Sequence, residues 1–114
     1  MSKPDSGDEP NRLVDEILAH PRYRGRVRAL QERASRFAPA LTGALVARAH
    51  AAMRRDPREA AQCARMGEMV AAAIGDAPGR VAALGALGQA CILHGRFPAA
   101  LRALDAAVEQ ARLA

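Results

Sequence analysis

Between residues 81 and 112 the sequence alternates large and small apolar residues at helical spacing, on both sides of one glycine-containing turn. Few folds accept that pattern. Leu84, Leu87, Gly88 and Cys91 fall on one face of a helix, and Ala100, Leu101, Leu104, Ala107 and Val108 fall on one face of another. Apolar residues recurring three and four apart mark buried helix faces. Faces that carry Gly and Ala let two helices approach backbone to backbone, so the expectation is a tight antiparallel helical hairpin with Ala100 set against Gly88. Composition points the same way. Half of the 114 residues are hydrophobic, yet only 3% are aromatic and there is no Trp. Much of the apolar content is Ala, which buries little area but is the strongest helix former. A sheet would need more Val, Ile, Thr and aromatic residues.

The same stretch resembles a tetratricopeptide repeat. That family places a Leu-Gly pair in its first helix, a Gly-x-aromatic turn next, and an Ala, a large apolar residue and another Ala on its second helix. Leu87-Gly88, Gly95-Arg96-Phe97, Ala100, Leu104 and Ala107 match in order and spacing over residues 81 to 112. Leu84 stands where the family often has Trp, and Cys91 where it often has Tyr. A weaker copy lies about forty residues earlier: Ala47 answers Leu87, Ala60 answers Ala100, Ala64 answers Leu104 and Gly67 answers Ala107. The copy departs from the family where Arg48 stands opposite Gly88 and Arg55 opposite Gly95. The long period is similar to the extended arrays of large bacterial regulators and signalling proteins, among them arrays that precede caspase-like CHAT domains. The resemblance implies an all-α fold of antiparallel helical hairpins stacked as a short right-handed solenoid.

Punctuation along the chain divides it. Residues 1–8 are rich in Pro, Gly, Ser and Asp and read as a disordered tail. Residues 9–38 read as a pair of helices, 10–19 and 22–37, separated at His20-Pro21. In the second, Tyr23, Val27, Leu30, Ala34 and Phe37 form an apolar stripe. Two hairpins follow, 39–75 and 76–114. Asp56-Pro57 with Glu59 reads as a capping box, Gly75 as a left-handed helix end, and Asp76 as the next cap.

Net charge is +5, carried almost wholly by arginine, since Lys3 is the single lysine. Cys63 and Cys91 are far apart and each lies in an apolar helical context, which suits core positions in a reducing, cytoplasmic compartment. The polar, acidic N-terminus lacks the order of a signal peptide, and no apolar run is long enough to span a membrane. Cys91 and His94 lack the further ligands of a zinc site. The glycines lack phosphate-loop spacing. No enzyme, metal or cofactor is expected; a protease would need a catalytic domain beyond Ala114.

The functional expectation is a scaffold that binds a protein or peptide partner, in bacterial regulation or signalling. In the repeat family the first helices line a concave groove. By position, the resemblance implies groove residues Ala82, Gly85, Gln89, Ile92 and Leu93 in the last hairpin, and Thr42, Leu45, Ala49 and Met53 in the weaker one. The Lys and Asn clamp of carboxylate-binding members has no equivalent here, since Gly85 and Gln89 stand instead, so an apolar or helical ligand is expected. A helical array normally ends on a solvating helix. With the chain stopping at Ala114, Leu104, Val108 and Ala111 would form an open face for self-association or for docking on another protein. A fragment of a larger array is the alternative origin. The rival reading is a nucleic-acid-associated regulator. In it Arg22, Arg24, Arg26, Arg28 and Arg33 of the second helix pair with phosphates or acidic partners, and Tyr23 stacks on a base.

Overall fold

The computed structural model describes residues 9–113. The expected N-terminal tail lies outside them. The described chain is helical, with no strand: α1 (Glu9–Leu18), α2 (Tyr23–Gln31), a 3-10 turn (Ala34–Arg36), α3 (Pro39–Ala52), α4 (Pro57–Ile74), α5 (Ala77–Leu93) and α6 (Phe97–Leu113). From α3 onward each helix packs against the next in sequence, and α3 also touches α5. α1 rests on α3 and α2 touches α4.

Local chemistry accounts for most ends. Asp56 Oδ1 accepts the Glu59 N–H at 3.1 Å, and Asp76 Oδ1 accepts the Gly79 N–H at 3.0 Å, with Pro in the first turn of both helices. Gly75 and Gly95 hold φ of 69° and 73°, the left-handed region that ends a helix. In each case the next N–H reaches back five residues to close the turn: Asp76 N–H to Ala71 O at 2.9 Å, and Arg96 N–H to Cys91 O at 2.8 Å. The capping box is only half formed. The Glu59 carboxylate turns away to Arg26, 3.3 Å off.

α2 is shorter than its pattern predicts. It stops at Gln31, and the Arg33 guanidinium donates to the Ala29 carbonyl at 2.8 Å, satisfying an end group of the helix. The chain then needs a tight turn to reach extended Phe37 and Ala38 before Pro39.

Two cores differ in grain. The first joins Leu13, Val14 and Ile17 of α1 to Leu30, Leu41 and Leu45, with Met66 and Val70 beneath. The second is built of small residues of α3 to α6, chiefly Ala49, Ala60, Cys63, Ala86, Ala90 and Ala100. Small side chains set close helix spacing there. A Cβ built on Gly67 of α4 would meet Leu45 and Val46 of α3 at 3.5 Å and Ala83 of α5 at 3.6 Å. α4 is therefore wedged between two neighbours and has no room for a side chain larger than Ala.

At the α5–α6 contact the partner of Gly88 is Leu104. A Cβ on Gly88 would lie 2.6 Å from Leu104 Cδ2, and the Ala100 carbonyl oxygen is 3.5 Å away. Gly88 thus makes a notch for Leu104 as well as for the Ala100 backbone. Leu101, expected on this face, points outward and is 63% exposed.

The departures of the earlier copy have a structural reason. Arg48 does not spoil a helix contact, because it donates to Asp15 of α1 at 2.6 Å. The turn Met53–Asp56 is one residue longer than His94–Arg96, and among the described residues no non-glycine adopts positive φ, so Arg55 replaces Gly95 without strain.

Candidate functional site

Of the nine expected groove residues, the structure gathers four at one cleft. Met53, Gln89, Ile92 and Leu93 line a depression of about 650 Å³, completed by His50 and Pro57 among others. α3 and α5 lie side by side there, with the start of α4 at the end of the cleft. Ile92 and Leu93 are large apolar side chains about half exposed to water, an arrangement that burial against a partner would relieve. Further along α5, Ala82 is exposed, and nothing lies within 4 Å of where a Gly85 side chain would stand. α5 thus presents small residues at one end of this face and large apolar ones at the other.

The α3 residues behave differently from expectation. Thr42, Leu45, Ala49 and Met53 are all buried. Leu45 belongs to the core that α1 and α2 build. Ala49 and Met53 belong to the small-residue core they share with Ala86 and Ala90 of α5, and Thr42 meets α5 at Gly79. The face of α3 open to water is instead Gly43, Ala47, His50 and Ala51. Two causes combine: the longer turn after α3 shifts its register relative to α5, and α1 covers a side of α3 that has no counterpart on α5. The polar-to-small rhythm Gly43, Ala47, His50 was the available signal, but a strict offset of forty residues hides it. The Thr42 hydroxyl is buried with no hydrogen-bond partner.

On α6, Leu104, Val108 and Ala111 do stand on an open face. Phe97 and Leu101 extend it toward the N-terminus of the helix, so that Phe97, Leu101, Leu104 and Val108 recur at spacings of four, three and four, exposed by 59, 63, 36 and 57%. Such a stripe has the periodicity of a helix-pairing seam. Ala100 and Ala103 on another side of α6 are buried.

The arginine row of α2 is broken up. Arg26 is largely enclosed: Nε donates to His20 O at 2.7 Å, Nη2 to Leu18 O at 3.1 Å, and Nη1 to Gln62 Oε1 at 2.8 Å. Arg33 is taken by Ala29 O and by Glu16, 3.3 Å away. Both act within the fold, leaving Arg22, Arg24 and Arg28 exposed. Tyr23 is partly buried against the first core, and that burial pushes its phenol above the usual value while the nearby Arg65 opposes the rise.

Among the described residues, Cys91 and His94 do not form a nucleophile pair. Cys91 is buried while His94 sits exposed at the end of α5. Burial, with Glu59 second, pushes the Cys63 thiol up to about 11, so it stays protonated at neutral pH. Among the described residues no cluster of three His, Cys, Asp or Glu side chains offers a metal site, and no helix is long and apolar enough to cross a membrane. Compared with protein-family models, with curated proteins and with solved structures, the chain finds no match.

Proposed function

We propose that the chain is a protein-interaction module of the tetratricopeptide type, which takes an amphipathic helix or apolar peptide of a partner protein along its α3–α5 face. The observation that carries this reading is the cleft at Met53, Gln89, Ile92 and Leu93, where the two large apolar side chains Ile92 and Leu93 stand half exposed beside buried Met53. A helix laid on Ala82 and Gly85 can come close to the α5 backbone, and one bulky apolar side chain of the ligand then fills the cleft, the mode by which grooves bind amphipathic helices. The cleft is lined by Arg54 and His50 but by no carboxylate, so a ligand with an acidic flank suits it. Its role in a bacterial regulatory or signalling assembly follows from the repeat resemblance.

The test is capture from native cell extract by the immobilised chain, compared with Ile92→Asp and Gln89→Glu variants whose circular dichroism matches wild type. Partners that depend on the face should be lost with both variants. An unchanged set of captured proteins would place recognition elsewhere.

The α6 stripe supports a second contact, with another copy of the chain or a neighbouring helix. Its measurable consequence is the mass of the protein in solution, considered below.

A further inference from the structure

We propose that the surface where α2, the first turns of α4 and the α5–α6 turn converge binds an acidic, carboxylate-rich peptide segment. Two depressions adjoin there, of about 570 and 230 Å³, and share Tyr23, Arg58 and Gln62. Arg22 lines the larger, and Arg65, His94 and Arg96 line the smaller. None of these residues lines the α3–α5 cleft, so this is a separate surface.

Three observations bear on these arginines. First, the ion pairs among the described residues engage Arg26, Arg33, Arg36, Arg48 and Arg80, whereas Arg22, Arg58, Arg65 and Arg96 make none there. Second, Arg58 is the second residue of α4 and Arg96 immediately precedes α6. The N-terminal end of a helix carries partial positive charge and favours acids, as at Asp56 and Asp76; a cation there is unfavourable. Helix stability therefore does not account for either arginine. Third, no carboxylate lines the smaller depression. The two acids of the larger one are already occupied, Asp56 by the Glu59 N–H and Glu59 by Arg26.

Guanidinium groups pair with planar anions through parallel N–H donors, and several spread along a channel match an extended chain of carboxylates. The Gln62 amide N–H groups, with its Oε1 held by Arg26, and the Tyr23 hydroxyl add uncharged hydrogen-bonding groups for a peptide backbone, and Ala61 gives an apolar floor. Single-stranded nucleic acid would want a succession of aromatic faces for its bases. The channel offers only half-buried Tyr23 and the single imidazole of His94, which is no such succession and favours peptide.

The experiment uses a fluorescent dodecapeptide of alternating Glu and Ala, titrated with the full chain and followed by anisotropy at several salt concentrations. Binding that weakens with salt is expected, and it should fall at least tenfold in the triple variant Arg58→Gln, Arg65→Gln, Arg96→Gln. The double variant Arg102→Gln, Arg112→Gln on α6 should stay within twofold of wild type. On the wild-type chain, a peptide with Lys in place of Glu should not bind, a result independent of whether any variant folds. Equal loss in both variants, no binding by the Glu peptide, or tighter binding of a single-stranded oligonucleotide of equal charge would each overturn the assignment.

Discussion

Replacing Arg26 by Ala should be among the most damaging single changes in the α1–α2 region. The side chain is 12% exposed and spans three elements. It satisfies the carbonyls of Leu18 and His20 at the end of α1, starts from α2, and reaches Gln62 and Glu59 on α4. A hydrogen bond to a charged group is worth about 1.5–3 kcal/mol, but neighbouring bonds of one side chain do not add fully. The Glu59 contact is partly exposed and contributes at most ~1 kcal/mol. The net loss should be about 2–4 kcal/mol, and for a domain of this size roughly 10–25 °C in Tm. Arg26→Lys should fall between, because one ammonium cannot meet all four acceptors. Arg24→Ala, exposed on the same helix, should stay within ~0.5 kcal/mol. Thermal melts followed by circular dichroism decide the matter. If Arg26→Ala melts within a few degrees of Arg24→Ala, the clamp contributes nothing and the reasoning fails.

Thr42→Val should stabilise by about 1 kcal/mol, since it removes a buried hydroxyl without a partner and keeps the shape; a loss in a urea melt would mean that the hydroxyl is in fact satisfied. Ala100→Glu forces a charge into the α5–α6 contact and should cost about 2–4 kcal/mol; an unchanged melt would contradict the packing at Gly88. The Cys63 thiol titrates at about 11 when folded against 9.0 ordinarily, so its contribution is fully present below pH 9 and is lost as pH rises to 11, by up to about 3 kcal/mol. With Lys3 as the single lysine, few other groups titrate in that window, and Cys63→Ala should flatten the alkaline slope. Equal slopes would remove Cys63 as the cause. Sedimentation across a concentration series should reveal association that Leu104→Lys or Val108→Lys abolishes; a wild-type monomer at high micromolar concentration would show that the α6 stripe has no partner of its own kind.

Helix number and most helix ends were legible because they are written locally: Asp56-Pro57 and Asp76 open helices, Gly75 and Gly95 close them, and Pro39 follows an enforced extended residue. The last hairpin face was legible at Gly88, Ala100 and Leu104, where small Gly88 and Ala100 let the helices close and Leu104 fills the notch. What periodicity cannot encode is which neighbour covers which side. α3 carries apolar residues nearly all round, and only the docking of α1 decides that Leu45 is core while Gly43 and Ala47 meet water. Leu101 illustrates the same limit, since one more helix beside α6 would bury it. The arginines show a third kind of limit. Arg26 and Arg22 are alike in sequence context, but only Arg26 has carbonyls and acids within reach of its fork.

The two cores face sequence drift unequally. Around Leu13, Ile17, Leu30 and Leu41 a side chain can grow, shrink or change branching, and neighbours of similar size can compensate. Around Ala49, Ala86, Ala90 and Gly67 the residues already stand at the lower bound of size, so nearly every substitution is an enlargement. Errors there accumulate in one direction: they push α3, α4 and α5 apart. The α3–α5 cleft would open before the helices themselves melted, so the recognition proposed for it would be lost earlier than the fold.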